Sequence, residues 1–176
     1  MNGRYRVATE KTLLAMPETA IGSFTDGGVA HALSRLPNNL GTFLGLTGHR
    51  LKGWDNYHVG IPTHSVTSEE IPNLLAGLND MRAPCPDTVE KLLDGYHRKC
   101  FSAATEFSLQ SHVATINNIF SSESVEVINE RLETEGFLNF FFQFPILFQE
   151  HFSFCYPMMH TFFKRINYKD AEAENC

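Results

Sequence analysis

The chain's most restrictive stretch lies between residues 5 and 28. Two short apolar or alternating segments, 5–10 and 12–16, are halted by Pro17 and followed by a loop holding Gly22, Ser23, Asp26, Gly27 and Gly28. Segments of that length and pattern predict two strands, and the proline stops the second. A buried strand that runs into a glycine-bearing loop is a common way of presenting side chains to a ligand, so residues 17–28 are the first place to look for a site.

Beyond that loop the pattern turns helical. The spacing predicts a helix over 29–36, closed by Pro37, and another over 39–47 with Leu40, Phe43, Leu44 and Leu46 on one apolar stripe, closed by Gly48. A short helix is expected over 54–59 and a strand over 63–66. Ser68, followed by Glu69 and Glu70, is expected to cap a helix reaching about residue 81. Pro84 and Pro86 break the pattern, and Pro86 opens a helix to about Cys100. Helical spacing resumes over 108–120 and 124–135, where Val125, Ile128 and Leu132 fall at i, i+3 and i+7. No internal repeat or low-complexity linker interrupts the chain up to Glu135.

At Gly136 the character changes. Residues 137–163 hold ten of the chain's 15 phenylalanines, interrupted by Pro145 and Pro157, with neither a helical stripe nor strand alternation. Asn139, Gln143, Gln149, Glu150, His151 and His160, together with the two prolines, argue against a straight membrane-spanning helix of about 20 residues. The chain is therefore divided at 135, with 136–176 a divergent Phe-rich tail. Its 176 residues and 43% hydrophobic content suffice for one ordinary core. With 14 basic and 20 acidic residues mixed along the sequence, no surface offers the counterion release that nucleic-acid binding requires. Cys85, Cys100, Cys155 and Cys176 lack paired spacing, which argues against a disulfide framework or a zinc site. The first ten residues carry no signal peptide and no Arg/Ser-rich presequence.

The sequence of residues 6–22, R-V-A-T-E-K-T-L-L-A-M-P-E-T-A-I-G, followed by Phe24 and Asp26, resembles the strand-to-loop segment of 3-hydroxyisobutyryl-CoA hydrolases of the crotonase superfamily. The likeness continues through Leu33-Ser34-Arg35-Leu36, Leu40-Gly41, Leu46-Thr47-Gly48, Arg50-Leu51-Lys52-Gly53, Gly60-Ile61 and Thr63-His64. It thins at Tyr96-His97, Ile116-Asn117 and Phe120-Ser121. The resemblance implies an α/β fold, part of a crotonase-like spiral of ββα units with a mostly helical C-terminal region, in which residues 1–135 form the later part of the hydrolase domain. It also implies hydrolysis of 3-hydroxyisobutyryl-CoA to the free acid and CoA in valine breakdown. An acyl-CoA substrate, no metal or organic cofactor, a mitochondrial matrix location and a homo-oligomer go with that reading.

Matched residue by residue, the family's two loop acids fall on Glu18 and Asp26. Glu18 is then the candidate for directing or deprotonating water, and Asp26 for holding the hydroxyl end of the acyl group. Without the resemblance, Glu18 would read as a solvated loop carboxylate and Asp26 as a turn former before two glycines. The chain also departs from the pattern. Thr25 replaces the proline before the aspartate, and Val29, Ala30 and His31 replace a glycine-rich helix start, where their side chains are expected to crowd a ligand. In the family, two backbone N–H groups from glycine-rich segments preceding the point that matches Met1 hold the oxyanion. The sequence is accordingly read as a truncated form, by frameshift, retained intron or alternative exon.

Two rival functions follow: a non-catalytic truncated isoform, and an enoyl-CoA hydratase or isomerase of the same superfamily. Water addition across a double bond normally uses two glutamates, whereas one matched glutamate is present here. His97 and Cys100 at i, i+3, and His151 and Cys155 at i, i+4, can each share a helix face, but no third or fourth metal ligand is placed by spacing. His64 is expected to be structural. No GxSxG, P-loop, dinucleotide fingerprint or HExxH motif occurs.

Overall fold

The strands are shorter than their apolar patterns because a side-chain-supported turn lies between them. Strand β1 is Val7–Ala8 and β2 is Leu13–Leu14. Between them the Thr12 N–H donates to the Thr9 carbonyl at 3.0 Å and the Thr9 N–H to Thr12 Oγ1 at 2.9 Å, which takes both N–H groups out of strand pairing. The computed structural model describes residues 3–21, 23 and 25–134, so the Phe-rich tail lies outside the described residues. Two compact units emerge. One contains the residues up to Leu14 together with Leu51–Gln110; the other contains Ala15–Arg50 together with the described residues from Ser111 onward.

In the first unit, β1 pairs in parallel with β4, His64–Ser65, and β2 pairs antiparallel with β3, Leu51–Lys52. A parallel pair needs a long crossover, and here the sequence from Ala8 to His64 intervenes. The buried Asn56 side chain fastens the β2–β3 pair, its Nδ2 lying 3.0 Å from the Gly53 carbonyl and 3.3 Å from that of Thr12. Helix α3, Asp55–Val59, ends at Gly60, whose left-handed backbone suits glycine. In α/β chains such elements are covered by amphipathic helices. Here α4, Ile71–Asn79, and α5, Pro86–Cys100, enclose Val66, Leu74, Leu93 and Cys100, with Tyr5, Val89, Leu92 and Tyr96 packed around them.

One expected cap is corrected. Ser68 does not begin a single helix to residue 81; a 3-10 turn, Ser68–Glu70, precedes α4, and Thr67 stands at its cap position. The Ser68 N–H instead donates to Glu10 Oε2 at 2.8 Å, and its hydroxyl donates to Glu10 Oε1. A carboxylate from before β2 thus does the capping that a serine hydroxyl was expected to do, the stronger, charge-assisted partner prevailing.

The second unit is built around the helix α2, Leu40–Thr47. Its expected one-sided stripe is also corrected, since every residue from Leu40 to Leu46 is buried. A helix apolar all round belongs inside a core. Helix α1, Val29–Leu33, packs against it and stops short of Leu36, because the Ser34 hydroxyl and Arg35 Nη1 both turn back to the His31 carbonyl and Leu36 is extended before Pro37. On another side lies α6, Val113–Phe120, joined by an edge-to-face contact of Phe43 with Phe120 at 5.4 Å between ring centroids. Helix α7, Val125–Thr134, buries Val125, Ile128 and Leu132, the three residues that the i, i+3, i+7 spacing picked out.

Candidate active site

The loop at residues 17–28 is anchored at its base by the end of α2. Gly48 adopts φ of 67° there, and a Cβ at that position would sit 3.2 Å from the Met16 carbonyl oxygen, so the helix end and the loop's entry are in close contact. The loop then winds into a 3-10 turn, Pro17–Ile21, where a plain loop was expected. Proline presets the φ needed for the first position of such a turn. The turn sorts its side chains: Thr19 enters the core, whereas Ile21 is 80% exposed. Just after it the Ser23 N–H donates to the Glu18 carbonyl at 2.9 Å, folding the chain back towards Glu18.

Glu18 and Asp26 both lie in this loop but in unlike surroundings. Glu18 Oε2 is shut off from solvent and has no hydrogen-bond partner in the protein. Asp26 is exposed; its Oδ1 accepts the Gly27 N–H at 2.6 Å, and its carbonyl accepts the Val29 N–H at 3.2 Å. Gly27 and Gly28 follow with φ of 65° and 75°, a pair of left-handed residues that few side chains tolerate, and they set the entry to α1. Of the three residues expected to crowd that entry, Ala30 is turned into the core and His31 is exposed, with Val29 between those extremes.

Sequence reasoning missed one atom. Thr25 is only 3% exposed, and its Oγ1, like Glu18 Oε2, lacks a partner. A buried polar atom left unpaired costs about 1–3 kcal/mol, so two in one short loop point to an external hydrogen-bonding group. The replacement of a proline at this position was visible in the sequence; that the hydroxyl would be enclosed was not. Chemically, a sequestered carboxylate oxygen with a free lone pair can orient water and accept a proton from it.

The other histidine candidates are occupied structurally in the first unit. His97 Nδ1 lies 3.1 Å from the Ser65 N–H nitrogen and 3.0 Å from the Ser65 carbonyl, and its Nε2 lies 3.2 Å from the Tyr57 hydroxyl. His64 is 3.1 Å from Asp94 Oδ1 and 2.8 Å from Thr63 Oγ1. Cys100 is buried, its sulfur 3.7 Å from Thr67 Oγ1. Among the described residues no group of three or more His, Cys, Asp or Glu is placed to hold a metal. His151 and Cys155 lie outside the described residues.

A strand-fed loop bearing one sequestered and one exposed carboxylate, followed by helices, is one arrangement in which acyl-thioester chemistry can be carried out. Residues 1–140 match the enoyl-CoA hydratase/isomerase family, and the chain belongs to it. Among solved structures it is similar to a carnitinyl-CoA dehydratase from Mycobacterium thermoresistibile, with a TM-score of 0.62 and 27% identity over 76% of this chain and 36% of that one. It is also similar to an enoyl-CoA hydratase from Rhodobacter sphaeroides 2.4.1, with a TM-score of 0.58 and 31% identity over 74% of this chain and 34% of that one. The fold is therefore part of the crotonase-type α/β spiral, as the resemblance implied.

Within the family, curated relatives point more narrowly. The chain is 49% identical over 137 residues to the mitochondrial 3-hydroxyisobutyryl-CoA hydrolase of Xenopus tropicalis and 44% identical over 137 residues to that of Homo sapiens. Each match covers 77% of this chain and 36% of the relative, so the chain spans about a third of the length of the curated relatives it matches.

Proposed function

We propose that the chain acts in hydrolysis of 3-hydroxyisobutyryl-CoA to 3-hydroxyisobutyrate and CoA, with Glu18 as the water-directing carboxylate and Asp26 as the residue that engages the acyl hydroxyl. The observation that carries this reading is the partnerless, solvent-excluded Oε2 of Glu18 in a loop that matches the hydrolase pattern. Water held by that oxygen attacks the thioester carbonyl carbon as its proton passes toward the carboxylate. Collapse of the tetrahedral intermediate breaks the C–S bond, and the departing CoA thiolate takes up the proton. Neither metal nor organic cofactor is needed for these steps. The names of the relatives support a mitochondrial setting; the matrix, a role in valine breakdown and a homo-oligomer rest on the resemblance to the hydrolases.

Greater identity to hydrolases than to the two structural neighbours favours hydrolysis over hydration. The alternative, a second reading, is a non-catalytic form that binds acyl-CoA without turning it over. Release of free CoA thiol from 3-hydroxyisobutyryl-CoA by the purified 176-residue chain, abolished in Glu18→Gln, is the expected result. Binding with no release would select the second reading, and release undiminished in Glu18→Gln would remove the assigned role of that carboxylate.

A further inference from the structure

Glu18 Oε2 and Thr25 Oγ1 are the two buried, partnerless side-chain oxygens among the described residues of the second unit. They are not bonded to each other. The backbone bond from the Ser23 N–H to the Glu18 carbonyl, 2.9 Å, holds the chain beside Glu18 two residues before Thr25 in the sequence. Their chemistry is complementary. An ionised carboxylate only accepts, whereas a threonine hydroxyl both donates and accepts. A single group satisfying both must give an O–H to Glu18 and offer a lone pair to Thr25, and a hydroxyl, of water or of an alcohol, does both.

We propose that Thr25 is a positioning residue of the acyl site, its hydroxyl and Glu18 Oε2 together holding one hydroxyl-bearing group. This rests on the hydrolase reading of Glu18. The hydroxyl belongs either to the attacking water or to the acyl chain. The proline of the hydrolase pattern has no donor to offer, so the contact belongs to this chain's own sequence. Thr25→Val keeps the shape and deletes the O–H, while Thr25→Ser keeps the O–H.

The first test uses no substrate. Melting temperatures of the 176-residue chain, Glu18→Gln, Thr25→Val and the double variant form a cycle, and a shared water makes the two shifts non-additive. Additive shifts, or a Thr25→Val chain that melts higher than the parent, overturn the shared water and restrict the proposal to the acyl hydroxyl, which the second test decides. The second test compares 3-hydroxyisobutyryl-CoA with isobutyryl-CoA, which lacks the hydroxyl. A loss of about tenfold in kcat/KM for Thr25→Val, recovered by Thr25→Ser, is expected. Loss on the hydroxylated substrate alone identifies the acyl hydroxyl; equal loss on both, carried by kcat, identifies the water. Unchanged kinetics on both overturn the proposal. If the parent chain hydrolyses neither thioester, the hydrolase reading fails, and the melting cycle, run without and with 3-hydroxyisobutyryl-CoA, still decides whether Thr25 and Glu18 share a bound group.

Discussion

Gly41 shows how little room a single residue can have. A Cβ there would lie 1.7 Å from the Leu33 carbonyl oxygen and 2.4 Å from its carbon, distances that only a backbone shift can relieve. Neither side can yield easily, since Leu33 is fully enclosed and α2 is buried from Leu40 to Leu46. Gly41→Ala is therefore expected to destabilise the chain by about 3 kcal/mol or more, at the upper end of overpacking costs, despite alanine's better helix propensity; urea unfolding measures it. His97 makes a different point. Its Nδ1 lies within hydrogen-bonding distance of both backbone groups of Ser65 on the side of β4 away from β1, accepting from the N–H in one tautomer or donating to the carbonyl in the other. His97→Phe preserves the ring but removes the Nδ1 partner, and a loss of about 1–3 kcal/mol is expected, together with faster hydrogen exchange at the Ser65 amide where Nδ1 is its acceptor. Exchange unchanged at Ser65 would mean that the imidazole does not hold the strand.

At the scale of elements, Glu10 ties β1's exit to the 3-10 turn before α4. The hydrogen bond from the Ser68 side chain, and then that from its N–H, hold the Glu10 carboxyl below its ordinary value of 4.5. A folded-state value that is lowered contributes stability above the unfolded value and loses it as pH falls through the folded one. The parent chain should thus lose this contribution below about pH 4.5, while Glu10→Gln should be slightly less stable at neutral pH and show a flatter acid limb. Glu10 is exposed, so solvent screening reduces the effect to about 0.5 kcal/mol, readable in paired denaturation curves at pH 7 and in the acid range.

The same element shows what was legible in sequence. The α5 boundaries, Pro86 to Cys100, follow from a proline at the helix start and regular apolar spacing, and α7's buried face follows from Val125, Ile128 and Leu132. Both are local signals. The Ser68 cap was misassigned because Glu10, 58 residues away, supplies the competing acceptor. Strand lengths were overestimated because the N–H groups of Thr9 and Thr12 are taken up by the turn between them. Glu18 and Asp26 were identifiable only through a long resemblance, and nothing in their spacing distinguishes the sequestered oxygen from the exposed one. That difference depends on burial, which is a tertiary property.

For the whole molecule, fold alone does not choose the reaction. The structural neighbours are named as a dehydratase and a hydratase, and the relatives with higher identity as hydrolases, so one spiral supports additions to a double bond as well as cleavage of a thioester. The discriminating feature is the charge pattern of residues 17–28. Hydration of an enoyl-CoA requires one group to activate water and another to deliver a proton to carbon, a task normally given to two glutamates. Here the loop offers one sequestered glutamate and an aspartate already engaged by the Gly27 N–H and open to solvent. The expected outcome is CoA thiol release from 3-hydroxyisobutyryl-CoA with no consumption of crotonyl-CoA's conjugated double bond. Asp26→Asn keeps an oxygen to accept the Gly27 N–H, so it should leave the fold intact; it removes the charge that the proposed function assigns to the acyl hydroxyl. Its activity should therefore fall about tenfold on the hydroxylated thioester, the loss of one charge-assisted hydrogen bond, and remain near the parent's on isobutyryl-CoA. Equal loss on both substrates would move Asp26 from substrate recognition to maintenance of the loop, and hydration of crotonyl-CoA would transfer the chain to the chemistry of its structural neighbours.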